Sequence, residues 1–288
     1  SEELEDAFKL FTIMNDRGIK LRNSDILKAM NLREISDDTK RNNYAKDWED
    51  IESYFEENFD VFLSHLRTVL LKDKARLNLL DEFEKNIYAP TKYNRETKIY
   101  TKLPPLLKKG EETFDYIKKY KQYYIELFDT SHYDEYSSYK FDNLLTVMKS
   151  TLPADFWISP LLRFYDKFNN DRLFEFLKKL DNKFSYDWII QYTPTTRIEN
   201  MGKIINKIDA VKSVDELFDS NIFEVDESKL LNILNEDIYG RRFARYVLYK
   251  LDYLYSGKDE KMSVPKTISV EHILPQNPKN NSQWKEYF

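Results

Sequence analysis

From Leu4 to Leu254 the apolar residues return every third or fourth position, and five glycines in 288 residues do little to interrupt them. A chain patterned this way buries one stripe per segment and folds as a succession of amphipathic helices. Leu4, Ala7, Phe8, Phe11 and Met14 make the first stripe, which stops at Asn15-Asp16-Arg17-Gly18. Gly18 suits a left-handed helix end, since glycine takes positive φ without steric cost. Ser24 and Asp25 predict the cap and first turn of a short helix through Met30, with Lys28 a solvated charge on it and the polar stretch 31–43 a loop. Further stripes run through Trp48–Phe55, Phe59–Leu70 and Leu77–Ile87. Beyond them the pattern predicts helices at Phe114–Phe128, Phe141–Met148, Phe156–Phe168, Leu173–Phe184, Ile198–Ile208 and Leu230–Asn235, then a long one over Ile238–Tyr255 closed by Gly257. Residues 89–105, with Pro90, Pro104 and Pro105 and few apolar positions, form the best linker candidate.

Composition narrows the functions. The glycines, at 18, 110, 202, 240 and 257, are too far apart for a dinucleotide-binding or P-loop motif. The absence of cysteine excludes disulfides, thiol catalysis and thiolate zinc sites, and fits a reducing, cytoplasmic setting. A net charge of -5 is no footprint for coating nucleic acid, though a local basic groove remains compatible with it. No apolar run reaches the ~18 residues of a membrane span, so no membrane partner is expected. The acidic start Ser1–Asp6 is no signal peptide and already lies inside an amphipathic pattern, as expected of an internal part of a larger protein.

The character changes at the C-terminal end. Thr267-Ile268-Ser269-Val270-Glu271-His272-Ile273-Leu274-Pro275 alternates apolar and polar residues, the period of a short strand ended by proline. Of the three histidines, His65 lies in an apolar run and reads as a satisfied structural residue, and His132 has no partner at ligand spacing. His272 has Glu271 beside it. A carboxylate is a hard oxygen ligand for Mg²⁺ or Mn²⁺, and an imidazole can take a proton from attacking water. The same residues could equally be an exposed pair at a strand end.

The string Ile268–Asn277, followed by Trp284, resembles the opening of the His-Asn-His nuclease module of GmrSD-like, modification-dependent restriction endonucleases. The start of the chain, Ala7-Phe8 to Phe11, Asn15-Asp16-Arg17-Gly18-Ile19 and Ser24–Ala29, is similar to the segment closing that family's ParB/sulfiredoxin-like NTPase module. The two matches cover about 40 residues, in the family's order. The resemblance implies a phage-defence enzyme that cleaves modified DNA, with His272 as general base, Glu271 as metal ligand, Mg²⁺ or Mn²⁺ at the nuclease and a nucleoside triphosphate at the other module. It implies four regions: 1–35 closing the NTPase module, helical subdomains over 36–103 and 104–260, and a truncated nuclease module over 261–288. The family's Gln-Gln-Arg motif and the later Asn and His of its nuclease fall outside this sequence, so neither site is complete in it. The fragment is expected to be inactive and to hold no cofactor.

Other candidates are weaker. Asn15, Arg17 and Gly18 read either as a phosphate contact or as a plain helix end. Arg241, Arg242 and Arg245, placed on the last long helix, are candidate DNA-backbone contacts. The run Tyr116–Tyr124 interleaves lysines and tyrosines, which suits nucleic acid, but equally an amphipathic helix with Ile117, Tyr120 and Tyr124 buried. The expected fold is mainly α, a multi-helix array or bundle, with a short C-terminal strand opening a truncated ββα-metal module. The competing functional reading is a non-enzymatic, all-α interaction or scaffold domain. A homo-oligomer is compatible with either.

Overall fold

The computed structural model describes residues 22–265, together with Val270, Asn280, Ser282, Gln283 and Lys285. The strand expected over 267–273, apart from Val270, and Asn15, Arg17, Gly18, Glu271 and His272, lie outside the described residues.

The described chain is predominantly helical. Helix α1 (Asn23–Leu32) is followed by α2 (Asp38–Phe55), a 3-10 turn and α3 (Phe59–Leu71). A single α-turn, α4 (Leu79–Glu82), runs into a π-turn (Phe83–Tyr88), and then come two strands, β1 (Thr91–Asn94) and β2 (Ile99–Lys102). The long helix α5 (Glu111–Phe128), the turn α6 (Tyr133–Tyr136), α7 (Lys140–Thr151), α8 (Ile158–Phe168), α9 (Leu173–Ile189) and α10 (Pro194–Ala210) make up the middle. Short helices α11 (Val214–Phe218) and α12 (Glu227–Leu234) lead to α13 (Ala244–Tyr255).

Most boundaries follow the apolar period, and three departures have physical causes. Residues 38–43 are helical rather than loop. Asp37 accepts from the Lys40 N–H at 2.9 Å and starts α2, whose first turns face solvent and so carry no apolar stripe. Ser24 is not the cap of α1. Its N–H donates to Asp60 Oδ1 on α3 at 3.2 Å, and Asp25 accepts from the Arg22 N–H at 2.8 Å. A carboxylate brought by tertiary packing replaces the expected local hydroxyl. The proline-bounded stretch 89–105 is not a bare linker but contains the two antiparallel strands, paired from Thr91 with Lys102 to Asn94 with Ile99.

The interior is built from rings. Helix α8 packs against α3, α5, α9 and α10. Phe164 on α8 stacks on Phe176 of α9 at 3.9 Å between centroids, and Phe55 stacks on Phe62 at 4.1 Å. One apolar cluster runs from Leu27 to Tyr253. Along α5, Ile117 and Tyr120 are fully buried and Tyr124 half-buried, while Lys118 pairs with Asp47 at 2.8 Å and Lys119 with Asp166 at 2.6 Å. The lysine-tyrosine run is therefore an amphipathic helix whose cations have protein partners. Lys28 is likewise paired, with Glu49 at 3.0 Å.

Where α10 crosses the end of α3, glycine is required. A Cβ on Gly202 would stand 2.0 Å from the Lys72 carbonyl oxygen. Gly202→Ala should push the helices apart and destabilise by about 1–3 kcal/mol, as overpacking does, read as a lowered thermal midpoint. An unchanged midpoint would mean that the crossing relaxes freely.

Candidate functional site

The candidate arginines are mounted on the last helix and the turn before it. Helix α13 is fixed to α9 by a buried polar cluster. The Tyr246 hydroxyl donates to the carboxylate of Asp181 at 3.0 Å, and the Lys250 ammonium pairs with the same carboxylate at 2.5 Å. Asp181 is fully buried, and burial pushes its carboxyl up from the ordinary range against the opposing pull of Lys250 and Tyr246. Burial, and then the Asp181 charge, push the Tyr246 phenol well above its ordinary value, so it stays a donor.

Helix α7 holds the chain that leaves α13. Lys140 Nζ donates to the carbonyls of Tyr253 and Ser256, both at 2.6 Å, satisfying the end of α13 where a cation is favoured by the helix dipole. The Asn143 amide clamps the returning segment. Its Nδ2 donates to the Glu260 carbonyl at 2.7 Å, and its Oδ1 accepts from the Met262 N–H at 2.8 Å. The chain thereby turns back, and Arg245 donates to the Pro265 carbonyl at 3.2 Å.

This geometry corrects the expected placement of the arginines. Helix α13 begins at Ala244 rather than Ile238, so Arg241 and Arg242 stand in the turn before it and do not share a helical face with Arg245. The turn is closed by the Arg241 N–H on the Ile238 carbonyl at 2.9 Å. Arg241 is exposed and 3.4 Å from Glu236. Arg242 is exposed, with no hydrogen bond or ion pair to any described residue. Arg245 is half-buried, its guanidinium 5.9 Å from the centre of the Tyr249 ring and its Nε without a described partner. Of the three arginines Arg242 is thus the most available to a ligand, whereas Arg245 is partly spent on its own chain. Pro265 precedes Glu271 by six residues, which can span at most about 20 Å.

The two described histidines have structural partners. His132 Nδ1 lies 3.0 Å from Asp142. His65 is buried between Asp155, 3.3 Å from its Nε2, and the Ser159 hydroxyl, 3.3 Å from its Nδ1. They border a cavity of about 260 Å³ that Arg67 and Glu82 also line. The His65 hydrogen bond lowers the Asp155 carboxyl despite its burial. Among the described residues no group of three or more His, Asp or Glu is placed to hold a metal ion, and no helix is long and apolar enough to cross a membrane.

Sequence reasoning missed the Asp181, Tyr246 and Lys250 cluster, which joins positions 65 and 69 residues apart in the chain. It also missed the hairpin, for which a signal existed: Thr-Lys-Tyr-Asn and Ile-Tyr-Thr-Lys are strand-forming strings on either side of a polar turn.

No curated protein and no solved structure matches the chain. Residues 223–288 match the family described as GmrSD restriction endonucleases, C-terminal domain. That range takes in α12, α13 and all three arginines as well as Glu271 and His272. The C-terminal part of the chain is thus distantly related to a domain of GmrSD restriction endonucleases.

Proposed function

We propose that the chain is the helical region, with the beginning of the nuclease module, of a nucleotide-dependent endonuclease that cleaves modified foreign DNA. The family match over residues 223–288 carries the reading, because it takes in the Glu271-His272 pair. In this reading residues 1–35 close a nucleotide-hydrolysing module, 36–103 and 104–260 are helical subdomains, and 261–288 open a ββα-metal nuclease. His272 takes the proton from water attacking the phosphodiester, and Glu271 offers its carboxylate to Mg²⁺ or Mn²⁺. Glu271 would hold such an ion, which when bound would supply positive charge toward the leaving oxygen. Arg242 and Arg241 meet the DNA backbone as charged, forked donors, and Arg245 orients the chain entering the nuclease strand through Pro265. Asn15, Arg17 and Gly18 face a phosphate of the nucleotide.

The test is a cleavage assay of a chain extended through both modules, on modified and unmodified phage DNA, with and without nucleoside triphosphate. Metal-dependent cutting restricted to modified DNA and stimulated by nucleotide is expected. A folded protein that binds neither nucleotide nor DNA would instead establish the interaction-domain reading.

A further inference from the structure

Every residue of the hairpin strands is exposed, on both faces of the sheet. An isolated two-stranded ribbon is at best marginally stable in water, and this one hangs from the body by its base. The Leu103 N–H donates to the Pro90 carbonyl and the Leu106 N–H to the Ile87 carbonyl, both at 2.8 Å. At the tip the Asn94 side chain accepts from the N–H groups of Glu96 and Thr97 at 2.9 and 3.2 Å, which sets the turn.

The charge on this ribbon runs against that of the chain. Between Thr91 and Gly110 lie Lys92, Arg95, Lys98, Lys102, Lys108 and Lys109, with Glu96 the one acid, in a protein of net charge -5. Elsewhere about half of the described lysines and arginines have a carboxylate partner, as Lys118 and Lys119 do. Lys92, Arg95, Lys98 and Lys102 have no carboxylate partner among the described residues. The register puts Tyr93 opposite Tyr100, with ring centroids 4.8 Å apart and exposures of 46% and 68%. Two solvated rings on an unpacked sheet gain nothing for the core.

We propose that the hairpin Thr91–Lys102 is a duplex-DNA-binding ribbon. A two-stranded antiparallel ribbon has the width to enter the major groove. Arg95 and Lys98 at the tip, with Lys92 and Lys102 along the strands, meet the phosphates on either side, and the Tyr93–Tyr100 face turns to the base edges. This rests on the DNA-cleaving reading above and gives that enzyme a second contact, outside the region related to GmrSD endonucleases.

The test is fluorescence anisotropy of a labelled mixed-sequence duplex titrated with the whole chain at several salt concentrations. Lys92→Gln/Arg95→Gln/Lys98→Gln/Lys102→Gln should weaken binding about tenfold or more near 0.1 M salt and reduce the slope of log K against log salt by about three to four. Tyr93→Ala/Tyr100→Ala should weaken binding severalfold with the slope unchanged. Both variants should melt as the wild type does, since no side chain of the ribbon is buried. Wild-type binding by the quadruple variant, beside loss in Arg241→Gln/Arg242→Gln, overturns the ribbon and leaves the DNA-cleaving reading standing. A tyrosine variant equal to the wild type reduces the ribbon to a generic polyanion patch and also overturns it. A wild-type chain that binds no duplex overturns the ribbon and removes DNA contact from this region altogether.

Discussion

In an enzyme carrying the complete nuclease module, His272→Ala should lower DNA cleavage by about 10²–10⁴, the range for loss of a general base. Nucleotide hydrolysis should survive, because that chemistry is assigned to the other module. Glu271→Ala should differ in kind. Loss of an oxygen ligand raises the metal concentration needed for cutting, and excess Mn²⁺ should restore part of the rate. If His272 were structural, its removal would lower the thermal midpoint and both activities together. A well-folded His272→Ala enzyme that cuts at the wild-type rate would end the assignment.

How much of this was legible depends on how far apart the partners lie in the chain. Helices were legible wherever a stripe faces the core, because burial imposes the 3.6-residue period on the residues themselves. The first turns of α2 face solvent, so nothing in their residues but the Asp37 cap betrays them. Helix α13 was read six residues too long because Ile238 and Phe243 fit the period, although Gly240 lies between them. The polar framework was less accessible still. Asp60 at the start of α1, and Asp181 beneath Tyr246 and Lys250, act across 36 to 69 residues, and their spacing carries no sign of the contact. Glu271 and His272 suggest themselves in the sequence because adjacent residues carry their own chemistry, and their role stands as a proposal, since both lie outside the described residues. The arginines were legible only as charges, since the acceptor on Pro265 and the acid at Glu236 decide which of them is free. The hairpin shows the opposite failure. Its strand signal was present, but prolines on both sides and a lack of buried residues gave it the composition of a linker.

The buried pair at the foot of the hairpin should prove one of the costliest places to alter. Glu82 and Arg67 are 3.1 Å apart, with side chains 1% and 5% exposed. Glu82 also accepts from the N–H groups of Arg76 at 2.7 Å and Leu77 at 3.0 Å, and from the Asn86 amide at 2.8 Å. Burial alone would raise its carboxyl. The bonds from Asn86, from the two backbone N–H groups and from Arg67 outweigh burial and hold it below the ordinary value of 4.5. Glu82→Ala leaves a guanidinium buried without its counter-charge and should cost about 3–5 kcal/mol, on the order of 10 °C in thermal midpoint. Replacing both partners with apolar residues should recover only part of this, because Arg67 also serves the carbonyls of Asp73 and Lys74. The sign with pH follows from the depressed carboxyl. Its stabilisation is complete above the unfolded value near 4.5 and is lost as pH falls through the lower folded value, because the unfolded chain then takes up the proton first. The stability gap between the wild type and Glu82→Gln should therefore narrow on the acid side and stay constant at neutral pH; a gap independent of pH would remove the charge from the account. Glu82 also tethers the segment leading through the π-turn to Pro90. Hydrogen exchange at the Leu103 and Leu106 amides, which close the base of the hairpin, should consequently quicken in Glu82→Gln, and unchanged rates there would show that the hairpin is mounted independently of the pair.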